Sequence, residues 1–136
     1  MNKALKGELS KKFEIKKTPY GLGLFTRLPI KKGKFVIEYT GEKITDAEAD
    51  RRAGKYLMNL NEKYVIDGKG RENAARYINH SCRPNCIAFV EGSKLIIRAK
   101  KNIEPGQELT YDYGKSYYDE YIKPFGCGCG APVHKK

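Results

Sequence analysis

Nowhere in the sequence does an apolar run approach the ~20 residues that a membrane-spanning helix needs. No apolar stretch follows the lysine-rich start Met1-Asn2-Lys3-Ala4-Leu5-Lys6, so no secretory signal is expected. Cysteine is sparse, at four residues, and without an export signal these are not expected to form a disulfide framework. There is no internal repeat and no linker, and 136 residues suffice for one hydrophobic core but not two. With 40% hydrophobic and 32% charged residues the composition is globular. A soluble, intracellular domain with no membrane partner is the expectation.

Acidic side chains are also scarce, 16 against 27 lysines and arginines, which gives a net charge of +11. Such a field favours polyanions, so non-specific contact with DNA or nucleosomes is one expectation. A solvated basic surface explains the same charge, as does a substrate that itself sits on DNA.

What is present is a series of short β patterns. The first dozen residues are polar, basic and expected to be loose. Phe13-Glu14-Ile15-Lys16 alternates like a strand, and Thr18-Pro19-Tyr20-Gly21-Leu22-Gly23 is a turn. Strands are predicted around Leu24 to Thr26, Phe35 to Tyr39, Tyr56 to Leu60, Tyr64 to Asp67 and Leu109 to Tyr113, with a hairpin of Ile87 to Glu91 and Lys94 to Ala99. One helix is announced by the capping box Thr45-Asp46-Ala47-Glu48, with Gly54 as its stop. A second, short helix is predicted over Glu72 to Ile78. The fold class is mainly β with short helices.

Four segments carry a specific resemblance. Gly21-Leu22-Gly23-Leu24-Phe25, Glu38-Tyr39-Thr40-Gly41, Arg76-Tyr77-Ile78-Asn79-His80-Ser81-Cys82-Arg83-Pro84-Asn85 and Glu108-Leu109-Thr110-Tyr111-Asp112-Tyr113-Gly114 occur in that order. Together they resemble the SET-domain family of protein lysine methyltransferases. The resemblance implies several small curved sheets with a C-terminal pseudoknot, an exception to the rule that chains avoid threading. It divides the chain into a basic extension (1–12), a SET domain (13–122) and a tail similar to the family's post-SET segment (123–136).

The resemblance also implies S-adenosylmethionine as methyl donor and a lysine amine as acceptor. Deprotonating a lysine at pH 7 costs ~4–5 kcal/mol from its reference pKa. An apolar channel walled by aromatic rings lowers that cost, because desolvation disfavours the ammonium. Tyr39, Tyr111 and Tyr113 stand at the matching wall positions. The catalytic role falls to Tyr113, although a tyrosine in a strand is otherwise ordinary core. Tyr111 matches a position that is Phe or Tyr in the family. A hydroxyl there holds a water and leaves little room for a methylated amine, so mainly monomethylation is expected. For the cofactor the resemblance implies Gly21, Leu22 and Gly23 at its amino-acid end, Asn79 and His80 at the adenosyl part, and Tyr56, Arg76 and Tyr113 lining the same pocket.

In the tail, Cys127-Gly128-Cys129 and His134 resemble the family's Cys-x-Cys-x4-Cys with histidine in the last position. Joined by Cys82, they would make a Cys3His zinc site, a donor set that zinc accepts. Cys86 is the alternative fourth ligand, or a small buried hydrophobe at the start of a strand.

The family implies a protein substrate, a histone tail or another lysine-rich protein. Glu42, Asp46, Glu48 and Asp50 form an acidic island that could steer a basic tail, or simply complement a helix N-terminus. Localisation follows the target: nucleus or chromatin in a eukaryote or a host, cytoplasm otherwise. A homodimer in which a second copy completes the site stays open. Two rivals, a non-catalytic basic binding module and a zinc-stabilised interaction domain, leave Asn79-His80 and the Tyr-Asp-Tyr ending without a reason.

Overall fold

The computed structural model describes residues 7–19, 21–54, 56–70 and 72–112. Short β-forming runs and turn residues produce, among the described residues, ten short strands: β1 (Phe13–Thr18), β2 (Gly21–Thr26), β3 (Phe35–Tyr39), β4 (Glu42–Thr45), β5 (Leu57–Asn59), β6 (Tyr64–Asp67), β7 (Asn79–His80), β8 (Cys86–Glu91), β9 (Lys94–Ala99) and β10 (Thr110–Tyr111). They assemble as four small sheets: β1-β2, β3-β9-β8, β4-β6-β5 and β10-β7.

The β8-β9 hairpin pairs Cys86 with Ala99 and Glu91 with Lys94, and Gly92 makes its turn at φ 64°. In the last sheet β10 lies parallel to β7, with Thr110 beside Asn79 and Tyr111 beside His80. Parallel neighbours need a long connection, and here the whole β8-β9 hairpin intervenes. An isolated bridge between Phe25 and Glu108 ties the approach to β10 onto β2. The C-terminal segment of the expected pseudoknot lies outside the described residues.

The main core draws residues from all four of these sheets. Leu24, Ile97 and Leu109 are fully buried, and Phe13, Ile78 and Ile103 nearly so. A smaller cluster of Ile44, Ala49 and Val65 sits under the main helix, α2 (Asp46–Arg52).

Several local details depart from the sequence expectation. Glu8–Lys12 forms a short helix, α1, where a loose head was expected. Ser10 Oγ donates to Gly7 O at 2.7 Å, and Leu9 packs against the core. In α2, Thr45 Oγ1 accepts from Glu48 N at 3.2 Å as the capping box requires, but the Glu48 carboxylate turns to Arg51 and Arg52 instead. The helix ends on Ala53 in the left-handed region at φ 50°, one residue before the expected Gly54. The short helix expected over residues 72–78 is a single 3-10 turn, Ala74–Tyr77. Strand β4 was not anticipated. Its sequence, Glu-Lys-Ile-Thr, carries a single buried side chain, too little for an alternation to show.

Candidate functional site

The parallel pairing of β7 and β10 brings the ends of two motifs side by side. Ser81 N donates to Tyr111 O at 3.2 Å. Asn85 closes the junction, because its Nδ2 donates to Glu108 O at 2.8 Å and its Oδ1 accepts from Thr110 N at 2.9 Å. A buried asparagine with both ends satisfied holds two chain segments in a fixed register.

The glycine motif joins the same place through Asn79. Its Nδ2 donates to Leu22 O at 3.0 Å and to Glu108 Oε2 at 2.8 Å. At Gly23 a Cβ would come within 2.5 Å of Glu108 Oε2, so the missing side chain leaves room for that carboxylate. At Gly21, φ 109° suits glycine, and the space beside its Cα is open.

The tyrosine walls form a second group. Tyr39 and Tyr111 are buried, at 2% and 3% exposure. The Tyr39 hydroxyl donates to Tyr56 O at 2.8 Å, and the Tyr111 hydroxyl lies 3.9 Å from Met58 Sδ. Both hydroxyls therefore end on the same short segment, Tyr56 to Met58. Asn73, 1% exposed, supports this wall by donating to Gly68 O at 3.0 Å and accepting from Thr40 N at 3.0 Å.

Arg76 lies alongside, its guanidinium 4.3 Å from the Tyr56 ring centre and 5.3 Å from that of Tyr77. Such stacking favours a cation over an aromatic face. Arg76 Nη1 donates to Lys69 O, while its buried Nε has no hydrogen-bond partner among the described residues. His80 has a buried side chain, with Nδ1 3.9 Å from Asp112 Oδ1 and Nε2 3.5 Å from Cys82 Sγ.

A family model described as the SET domain matches residues 21–114. The chain belongs to the SET-domain family. It is 43% identical over 125 residues to a "Histone-lysine N-methyltransferase, H3 lysine-4 specific" of Schizosaccharomyces pombe, covering 82% of this chain and 13% of that protein. It is 41% identical over 123 residues to the human "Histone-lysine N-methyltransferase 2D", covering 82% of this chain and 2% of that protein. The trithorax histone-lysine N-methyltransferase of Drosophila virilis is 40% identical over 129 residues, covering 86% of this chain and 3% of that protein. The chain thus spans a small part of these much longer relatives.

Of the site residues expected from sequence, this SET domain brings Leu22, Gly23 and Asn79 together, sets His80 beside Tyr111, and gathers Tyr39, Tyr56 and Arg76. Cys82 stands beside His80. Tyr113, Cys127, Cys129 and His134 lie outside the described residues, where the post-SET-like tail also falls. Among the described residues no group of three or more His, Cys, Asp or Glu could hold a metal. Cys86, the alternative zinc ligand, starts β8 with 1% exposure inside the core, and burial pushes its thiol up to about 12. That favours its reading as a small hydrophobe.

The acidic island is partly neutralised within the chain. Arg52 Nη1 meets Glu42 at 3.0 Å and buried Asp67 at 2.8 Å, and its Nε meets Glu48 at 2.7 Å. Hydrogen bonds from Arg51 and then Arg52 hold the Glu48 carboxyl down to about 2. Two of the four acids thus have partners in the fold, which favours the reading as a solvated helix face.

Sequence reading alone missed Met58 as a contact of Tyr111, and it missed Asn73, Asn85 and Glu108. The two asparagines carried a faint signal, being amides just before and within motif segments. Glu108 carried the same faint signal, heading a motif segment, and Met58 only its place close to Tyr56; neither announced its partner, which comes from a remote strand.

Proposed function

We propose that this chain transfers a methyl group from S-adenosylmethionine to a lysine side-chain amine in a protein, mainly adding one methyl. The observation that carries the reading is the meeting of β7 and β10, which sets the Asn79-His80 pair beside the strand of Tyr111. The residues present fit the methyl donor. Asn79 Oδ1 has no hydrogen-bond partner among the described residues, Arg76 Nε is buried without one, and the space at Gly21 is open.

The donor, when bound, supplies a methyl carbon made electrophilic by its sulfonium. The chain supplies the rest. Tyr39 and Tyr111, both buried, exclude water from the lysine and so weaken its hold on the proton. The Tyr39 hydroxyl donates to Tyr56 O, and a phenolic oxygen can accept an N–H as well as donate. By the family resemblance Tyr113 would stand beside the transferring methyl, and holding nitrogen and carbon in line supplies much of the acceleration. Tyr111 limits the room for an already methylated amine.

The substrate is a histone or another DNA-associated basic protein, which agrees with the activity in the relatives' names. The site of action is then the nucleus or chromatin. The basic surface adds non-specific contact with DNA. Cys82, Cys127, Cys129 and His134 would hold one structural zinc, three thiolates and an imidazole being a donor set that zinc takes. Metal analysis of protein purified without chelator checks this, and an absence of zinc overturns it.

The test of the activity is transfer of labelled methyl from S-adenosylmethionine onto core histones, nucleosomes and a crude lysate. Label is expected on protein with the wild type, and a fall of at least about 100-fold with Tyr113→Phe. No label on any substrate, together with no measurable cofactor binding, overturns the reading.

A further inference from the structure

Glu108 lies outside the residues that the motifs assign to the cofactor, yet its carboxylate stands where three motifs meet. Its backbone is held twice, by the bridge to Phe25 and by the Asn85 amide donating to its carbonyl at 2.8 Å. Its Oε2 accepts from Asn79 Nδ2 at 2.8 Å, and the same nitrogen donates to Leu22 O at 3.0 Å. The side chain also fills the space that a Cβ on Gly23 would need.

A carboxylate and a carbonyl can only accept, so both N–H groups of the Asn79 amide are committed to them. That fixes which way round the amide lies, with nitrogen towards Leu22 and Glu108 and Oδ1 turned away. Among the described residues nothing donates to this oxygen. Without Glu108 the amide would keep one N–H unpaired and could turn over, presenting a donor where an acceptor now stands.

We propose that Glu108 is a positioning residue for the cofactor, which holds Asn79 Oδ1 as an acceptor for the ammonium group of the methyl donor. This rests on the reading of Asn79 and the Gly21–Gly23 strand as cofactor contacts. The bond from Asn79 to Leu22 favours the donor's amino-acid end over its adenine. An ammonium carries only donors, so an amide oxygen suits it and an amide nitrogen repels it. The nearby negative charge of Glu108 favours the same cation.

The experiment compares two ligands in binding to the full chain by calorimetry, without turnover. S-adenosylhomocysteine has both adenine and ammonium; 5′-methylthioadenosine keeps the adenine and lacks the ammonium, and is measured by competition. Glu108→Ala is expected to weaken S-adenosylhomocysteine about tenfold or more, the scale of a lost hydrogen bond to a charged group. It is expected to leave methylthioadenosine within about twofold. Glu108→Gln retains an acceptor oxygen and is expected to stay within about threefold of wild type for both ligands. Should Glu108→Ala fail to fold, Glu108→Leu removes the acceptor while filling the space, and carries the same comparison.

Equal affinity for S-adenosylhomocysteine in the folded acceptor-less variant overturns the role of Glu108, as does a glutamine variant that loses as much as alanine. Equal weakening of both ligands places the acceptor at the adenine and overturns the ammonium assignment. Failure of the wild type to bind either ligand is a different result, because it removes the cofactor reading itself.

Discussion

The Tyr111 hydroxyl lies 3.9 Å from the Met58 sulfur, so a buried tyrosine on β10 meets the short segment, Tyr56 to Met58, on which the Tyr39 hydroxyl also ends. A sulfur is a weak acceptor. Tyr111→Phe removes the oxygen while leaving the ring in its buried place. Under the proposed activity, the share of di- and trimethylated lysine should rise severalfold at similar total turnover, read by mass spectrometry of the product. An unchanged product distribution would show that Tyr111 is packing alone.

Most of the sheet framework was legible in sequence, because β3 and β6 are short runs of β-branched and aromatic residues bounded by turn residues, and Gly92-Ser93 marks the hairpin between β8 and β9. Motif order pointed to the family before any contact was known. What could not be read was pairing across distance. Nothing in Glu108 announces that it will accept from Asn79, and nothing in Met58 announces Tyr111. Both relationships arise only when β10 lies down beside β7. The C-terminus of α2 was misplaced by one residue because Ala53 takes the left-handed conformation that Gly54 was expected to supply. Local propensity is a weak guide where tertiary contacts decide.

Cys86 and Cys82 should differ sharply in chemistry. The Cys86 thiol is pushed up to about 12 by burial, so at pH 8 almost none of it is the reactive thiolate. Native protein treated with chelator and iodoacetamide should label half-buried Cys82 and spare Cys86, as read by peptide mapping. Cys86→Ala should leave zinc content unchanged, whereas Cys82→Ala should lower it. Zinc lost with Cys86→Ala in a folded protein would reverse the assignment of ligands.

Acid should loosen α2 in a defined window. Glu48 is held down to about 2, first by its hydrogen bond from Arg51 and then by that from Arg52, against an ordinary value of 4.5. Between these values the unfolded chain takes up a proton that the folded chain refuses. The contribution to stability is therefore complete above about 4.5 and disappears as pH falls towards 2. The group is only half-buried, so the effect is small and screened by salt. Thermal melts should show wild type above Glu48→Gln at pH 6, with the gap closing by pH 2 to 3 and shrinking in about 1 M salt. A gap that does not vary with pH would mean that the glutamine acts through packing.

Gly68 tests the wall from its outer side. A Cβ there would collide with the Tyr39 ring and the Asn73 amide, two buried groups that cannot both withdraw. Tyr39 is fixed by its bond to Tyr56 O, and Asn73 by its bonds to Gly68 O and Thr40 N. Overpacking of this kind typically costs ~1–3 kcal/mol, so Gly68→Ala should lower stability by about that amount in urea unfolding. Because the strain falls on the tyrosine wall, methyl transfer should fall further than the loss of folded protein explains, with KM for the protein substrate raised. A companion truncation of similar stability cost in the small cluster under α2, Val65→Ala, separates the two effects. If both variants lose activity only in proportion to their unfolded fraction, Gly68 is a folding requirement and the Tyr39 wall tolerates displacement.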